Sequence, residues 1–364
     1  MDYDVVVIGL GPAGVIATIN AAKEGAKVLA IEKRKNIENS IPCCAEGIVS
    51  GVLEDHSIPV SSKYIANTFD KIDYKLPNSK EVSLPIGGYI LHKEKFEQHL
   101  IDRASMEGAE IRLGCEVKKF ASPDKIYLAS GEIVRGKLII ACDGYPSRIA
   151  KDTGLDEILQ RKDIAICKQC TLEGIDVDRK TIKLFWWHKY SPGGYIWIFP
   201  KARDIANIGI AVIPMNGINT DKLLKSFIKE EFPKGRIIRE IRGVGPITKP
   251  ITNPIKGQVL FAGESAYHVM AMTCGGIGSS MLAGKFAGQT AGKYSTGLIN
   301  SLNYYNELLA PLNAELIHSY DLKEKVWFDK DSANKLFYKY KAISLLNKVF
   351  PDFVKQKVLA NVRL

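Results

Sequence analysis

Four stretches of this sequence carry residue types whose spacing suits chemistry. Gly9-Leu10-Gly11-Pro12-Ala13-Gly14 is a GxGxxG loop between an apolar run, Val5–Ile8, and a helical pattern. Glycines there permit a tight turn and close approach of backbone to a pyrophosphate, while a helix N-terminus offers N–H donors and a favourable dipole. Residues 42–47 read PCCAEG, placing a thiol, Cys44, two residues from a carboxylate, Glu46. Residues 191–200 read SPGGYIWIFP, and strand alternation puts Tyr195, Trp197 and Phe199 on one face and Ile196 and Ile198 on the other. That aromatic row is either a core or a wall for something long and apolar. Cys167-Lys168-Gln169-Cys170 is a CxxC with no second CxxC or paired His motif. It does not read as a zinc site, and on a strand its two thiols face opposite ways.

The elements that must position these residues are legible nearby. The opening DYDVVVIGLGPAGVIATINAAKEGAKVLAIEK predicts a strand at Val5–Ile8, a helix at Ala13–Glu24 stopped by Gly25, and a second strand at Lys27–Glu32. Glu32, with Lys33 beside it, ends that strand 18 residues past Gly14. An acid there accepts ribose hydroxyls and repels a 2′-phosphate, so the adenosine is that of FAD or NAD, not NADP. Two more strand-to-loop stretches follow. One is KLIIACDGYPSRIA, with Asp143-Gly144. The other is VLFAGESAYHVMAMTCGGIG, with Gly263-Glu264 and then Gly275-Gly276-Ile277 before an Ala/Gly-rich helix.

These three segments resemble, in order, the dinucleotide, DG and GD motifs of the FAD-dependent para-hydroxybenzoate hydroxylase superfamily. The resemblance spans most of the chain, with Glu264 where an Asp is usual. Within that superfamily, the chain resembles the geranylgeranyl reductase branch. Pro192, Tyr195, Trp197, Phe199 and Pro200 fit its P-x-x-Y-x-W-x-F-P motif, and PCCAEG resembles its P-x-C-G-E-G segment with Ala45 in place of the first Gly. LHKEKFEQHL resembles its R-x-x-F-D helix, with Lys93 for Arg. The resemblance implies FAD as cofactor, Lys93 and Val117 near the adenosine and pyrophosphate, and Cys44, Ala45 and Gly47 facing the flavin. It implies Glu264 at the ribityl chain, the helix after Gly275-Gly276-Ile277 facing the flavin ring, and Pro192, Tyr195, Trp197 and Phe199 at the substrate.

The implied activity is reduction of isolated C=C bonds in geranylgeranyl chains of a lipid precursor. An isolated alkene needs a proton as well as a hydride, and Cys44 is the candidate general acid, since a thiol of ordinary pKa, about 8.5, is protonated at neutral pH. The reductant is left open between NADH, ferredoxin and a deazaflavin. Two alternatives stay open: a monooxygenase of an aromatic or quinone substrate on the same fold, and a flavin- or lipid-binding protein without turnover.

The implied fold class is α/β. It has a discontinuous Rossmann-type FAD domain (1–75, 90–160 and 255–300), an inserted antiparallel sheet (76–89 and 161–254) and C-terminal helices (301–364). With 364 residues, 46% hydrophobic and 25% charged, the chain is of globular composition and longer than one core usually serves. Scattered cysteines, no apolar run approaching ~18 residues and no signal-peptide pattern point to the cytoplasm. Formal charge is +10, and between Asp321 and Leu364 ten Lys/Arg face five Asp/Glu. That basic, aromatic-rich tail is a candidate contact with an anionic membrane surface. No nucleic-acid fold organises the basic residues, and the six His are too scattered for a metal site.

Overall fold

The computed structural model describes residues 2–38, 44–78, 80–155, 158–187, 189–215, 217–336 and 338–339. Pro42, Cys43, His188 and most of the basic tail lie outside the described residues.

A parallel sheet is built around the strand Tyr3–Ile8, flanked by Gly136–Ala141 on one side and Val28–Glu32 then Glu110–Leu113 on the other. Val259–Phe261 joins it beside Gly136–Ala141, completing the sheet from distant sequence. The runs VVVI, VLAIE and LIIA are buried on both faces, as parallel strands covered by other layers must be.

Against this sheet lie the helices Pro12–Lys23 and Ile277–Ser295. Ala13, Ala17 and Ala21 recur every four residues on the first, and Gly284, Gly288 and Gly292 do so on the second. A Cβ on Gly284 would lie 2.1 Å from the Ala13 carbonyl oxygen, and one on Gly288 would lie 2.3 Å from that of Ala17. The two helices touch backbone to backbone, which only these small residues allow.

A second, seven-stranded sheet carries the aromatic strand. Its order is Arg236–Pro246, Ile164–Glu173, Ile205–Val212, Gly194–Pro200, Thr181–Trp186, Lys71–Lys75 and Glu81–Leu84. Lys71–Lys75 runs parallel to Thr181–Trp186, while the other neighbours are antiparallel. The expected boundary at 75 therefore falls inside this sheet, because Lys71–Lys75 pairs with a strand more than a hundred positions on. Gly88–Leu91 instead pairs with Gly47–Val49 and Ile65–Phe69 in a small separate sheet.

The two faces of the large sheet differ. Ile196, Ile198, Ile208 and Ile210 pack under the helix Thr220–Glu231 through Leu224 and Phe227. Tyr195 and Trp197 lie on the opposite face with Ile72, Leu184 and Trp186. Beyond it, the helix Tyr304–Val326 braces the molecule. Ser319 Oγ accepts the Met272 N–H at 3.0 Å, Trp327 Nε1 donates to the Met272 carbonyl at 2.9 Å, and Trp187 Nε1 donates to the Val326 carbonyl at 2.8 Å. Among the described residues, no helix is long and apolar enough to cross a membrane.

Gly288→Ala tests the helix contact. The added methyl gains helix propensity, but it meets a backbone carbonyl that cannot move aside. The expected net loss is about 1–3 kcal/mol, seen as a lower denaturant midpoint. An unchanged or raised midpoint would mean that the helices lie farther apart.

Candidate active site

Between the two sheets lies a cavity of 1310 Å³. It is larger than the roughly 300–1,000 Å³ of most small-molecule pockets, so it has room for two ligands end to end. One end is made by the parallel sheet's loops. Gly9, Gly11, Pro12 and Ala13 line it, with Glu32, Lys33 and Val117 along one side and Asp143 and Gly144 opposite. Gly263, Glu264, Gly275, Gly276 and Ile277 also line it, as do Cys44, Ala45, Gly47 and Lys93. Tyr195, Trp197 and Phe199 close the other end.

Two of the candidate residues do not reach the cavity. Gly14 is packed away from it, where a Cβ would sit 1.8 Å from the Gly9 carbonyl oxygen; its task is to let helix and loop meet. Pro192 lies half-buried in the turn before the aromatic strand and is not part of the cavity wall.

Two helix N-termini point into this cavity without side-chain caps. Gly11 caps Pro12–Lys23 and Gly276 caps Ile277–Ser295, neither with a side-chain hydrogen bond or an acidic residue in the first turn. Their N–H groups are left for a ligand with negative charge or carbonyl oxygens. A Cβ on Gly11 or Gly144 would meet nothing within 4 Å, which leaves a bare backbone cradle.

The charges around the cradle are paired in a chain. Glu32 Oε2 accepts the Leu10 N–H at 2.9 Å, and Arg34 Nε lies 3.1 Å from Glu32 Oε1. Arg34 Nη1 then reaches Glu97 Oε2 at 2.8 Å, and the Lys93 ammonium bonds the other Glu97 oxygen. Burial pushes the Glu32 carboxyl up, but the Arg34 bonds outweigh it and hold it below its ordinary value. Burial likewise opposes the Lys93 charge, and Glu97 outweighs that, so Lys93 titrates above the usual lysine range. Lys93 is thus an ion-paired cation in the cavity wall. Arg34 and Glu97 had no motif to announce them. The i, i+4 spacing of Lys93 and Glu97 was the one visible signal.

Asp143 also serves its own loop. It accepts from Ser147 Oγ at 2.7 Å and from the Ile149 N–H at 3.1 Å, fixing the turn that exposes Gly144. Glu264 opens onto the cavity yet is crowded by protein on its other sides. That desolvation pushes its carboxyl up, with Lys93 as a partial counterweight. A carboxyl so placed suits hydroxyl donors. Beneath it, buried His268 accepts the Gly263 N–H on Nδ1 at 3.2 Å, and burial drops its pKa to about 3, so the ring is neutral.

Among the thiols that line the cavity are Cys44, Cys167 and Cys274. Cys44 Sγ accepts the Glu46 N–H at 3.3 Å, and burial raises its pKa to about 11 against the pull of Lys93. Cys274 sits beside Tyr195 and is pushed up to about 12 by burial. Cys167 and Cys170 do face opposite ways: Cys167 lines the cavity, and Cys170 packs in the core beneath the helix Thr220–Glu231. The aromatic row is tied in place. Tyr195 donates to the Thr273 carbonyl, Trp197 Nε1 donates to Gln169 Oε1 at 3.2 Å, and the Phe199 ring lies over Gly47.

A dinucleotide cradle, a paired ribose acid and a second uncapped helix facing the same cavity fit FAD and define a flavin-dependent oxidoreductase. Residues 4–70 match the model of an FAD binding domain, and residues 163–245 match that of the geranylgeranyl reductase catalytic domain. The chain belongs to the geranylgeranyl reductase family of FAD-dependent oxidoreductases.

It is 31% identical over 309 residues to the digeranylgeranylglycerophospholipid reductase of Methanosarcina acetivorans, covering 79% of this chain and 75% of that one. It is 28% identical over 360 residues to digeranylgeranylglycerophospholipid reductase 1 of Methanococcoides burtonii, covering 94% and 84%. A solved geranylgeranyl bacteriochlorophyll reductase-like protein of Thermoplasma acidophilum has a TM-score of 0.85 at 26% identity, over 99% of each chain. A flavin-dependent brominase shares the fold, with a TM-score of 0.74 at 16% identity over 99% and 94% of the chains.

The raised Cys44 pKa has a direct readout. Iodoacetamide labelling of Cys44, followed by peptide mass, should stay slow at pH 8 and climb until pH approaches about 11. Half-maximal labelling near pH 8 would contradict the desolvated setting.

Proposed function

We propose that the protein uses FAD to reduce the isolated C=C bonds of geranylgeranyl chains on a glycerophospholipid. The observation that carries this reading is the shape of the cavity. It runs without a break from the dinucleotide cradle to an apolar end walled by Phe69, Ile72, Ile182, Leu184, Tyr195 and Trp197. Each CH₂ that a prenyl chain buries there contributes about 0.8 kcal/mol, so the chain can be held without polar anchors.

Bound FAD, once reduced, supplies a hydride. Gly11, Gly144, Glu32 and the Pro12–Lys23 N-terminus would hold its adenosine and pyrophosphate, and Glu264 and the Ile277–Ser295 N-terminus its ribityl and ring portions. The residues of the chain supply the rest. An isolated alkene has no carbonyl to take up charge, so it must gain a proton as it gains the hydride. The Cys44 thiol, kept protonated by burial, lines the wall between the two ends and is the proton donor in this reading. Partial positive charge on the alkene is stabilised by the faces of Tyr195 and Trp197, through the attraction that binds cations to aromatic rings. The basic tail beyond Asp321 would meet the anionic surface from which such a lipid is drawn.

Anaerobic incubation of dithionite-reduced holoprotein with a geranylgeranyl phospholipid tests the reading. Lipid mass should rise in two-hydrogen steps as the flavin is reoxidised; reoxidation without mass gain would refute it. In the same assay Trp197→Ala should slow reduction by about tenfold or more with FAD content intact. An unaltered rate would make the aromatic row plain core.

A further inference from the structure

We propose that Lys201 and Glu46 form the line by which protons reach the Cys44 thiol from solvent, with Asn207 as a positioning residue. The inference rests on the prenyl-reductase reading above, and it concerns how the acid is reset.

Glu46 is buried, and it holds φ +69°, a left-handed conformation that costs a side-chain-bearing residue energy. Its carbonyl accepts the Leu91 N–H at 2.8 Å, which turns the chain from Cys44-Ala45 into the strand Gly47–Val49. Its carboxylate is lopsided. Oε2 accepts from Lys201 Nζ at 2.5 Å and from Asn207 Nδ2 at 2.7 Å, whereas Oε1 is buried with no hydrogen-bond partner. Asn207 is itself fixed, accepting from Thr171 Oγ1 at 2.8 Å and donating to the Ala45 carbonyl at 3.3 Å.

A buried ion pair stabilises a fold only when its remaining lone pairs are satisfied. This pair leaves one unsatisfied and rests on a strained residue, Glu46, which lines the cavity as the Cys44 thiol does. It is poorly explained as a structural fastening. Lys201 is the member that meets solvent, with 15% of its side chain exposed against 4% for Glu46.

The groups facing the pair are few. Cys44 lies two residues away, with its Sγ accepting the Glu46 N–H. His92 is half-buried beside both residues and is held below its ordinary value by burial and by Lys201, and Glu94 lies near His92. Lys93 and Glu97 face Cys44 as a closed ion pair.

A geranylgeranyl chain has several double bonds, so the acid must be restored between them. As each bond is reduced, one carbon takes the hydride and the other takes the Cys44 proton, so S–H breaks and C–H forms. The Lys201 ammonium then passes a proton to the Glu46 carboxylate, the carboxyl so formed passes one to the Cys44 thiolate, and the Lys201 amine takes one from water. The sum is one hydride from the reduced cofactor and one proton from solvent per alkane formed.

Lys201→Arg separates this role from a charge contact, because Arg keeps the ion pair with Glu46 but does not release its proton. The experiment is multiple-turnover reduction of a geranylgeranyl phospholipid with excess dithionite, in H₂O and D₂O, for wild type, Lys201→Arg and Lys201→Met, because the first turnover uses the proton that Cys44 already holds. Both variants should retain FAD and slow by about tenfold or more, with a larger solvent isotope effect, and added methylamine should partly restore Lys201→Met. In FAD-free protein, Glu46→Gln should move Cys44 alkylation to lower pH than wild type, since the carboxylate acts to raise that thiol. A wild-type rate and isotope effect in Lys201→Arg would overturn the relay, as would an unmoved alkylation profile in Glu46→Gln. If wild type itself adds no hydrogen to the lipid, the function fails and takes the relay with it.

Discussion

The site depends on how closely the helix Pro12–Lys23 approaches the helix Ile277–Ser295. Ala13, Ala17 and Ala21 meet Gly284, Gly288 and Gly292 with no side chain between the backbones. That contact brings two uncapped helix N-termini, about 265 positions apart in the chain, to one cavity. It also sets Gly263 against Ala13, so the loop bearing Glu264 is positioned by the same packing. The helix Tyr304–Val326 then holds both the N–H and, through Trp327, the carbonyl of Met272, fixing the loop that leads into the second N-terminus.

Charge in the cavity is arranged around that frame. Arg34 stands between Glu32 and Glu97, and Lys93 closes the chain, so two carboxylates and two cations neutralise one another beside the dinucleotide cradle. The N–H groups of the helix ends are then left to attract a pyrophosphate, alongside Lys33, Arg148 and Lys151 in the cavity wall. The thiol end is different: Cys44 and Cys274 are kept protonated by desolvation. Glu46, beside Cys44, is tied to a lysine that reaches water.

The parts legible in the sequence are those set by local backbone. Gly9 to Gly14, Glu32, Gly144, Gly263 and the Tyr195/Trp197/Phe199 row each follow from a strand ending in a turn or from strand alternation. What the sequence hid was created by distant pairing. Arg34 and Glu97 are 63 positions apart, and Glu46 meets Asn207 across 161, with no motif linking either pair. Cys167 joined the cavity because its strand lies beside Ile205–Val212, two strands from Tyr195. Gly14 and Pro192 show the reverse. Both belong to motifs, and neither is part of the cavity wall.

One continuous cavity for cofactor and prenyl chain is the claim on which the rest stands. The direct measurement is a crystal structure of the FAD-loaded protein with a geranylgeranyl phospholipid bound. The account predicts pyrophosphate density at Gly11, the flavin ring beside Gly276, and the prenyl chain between that ring and Trp197, with an alkene carbon in contact with Cys44. Prenyl density outside the cavity, with Tyr195 and Trp197 sealed behind other side chains, would contradict it.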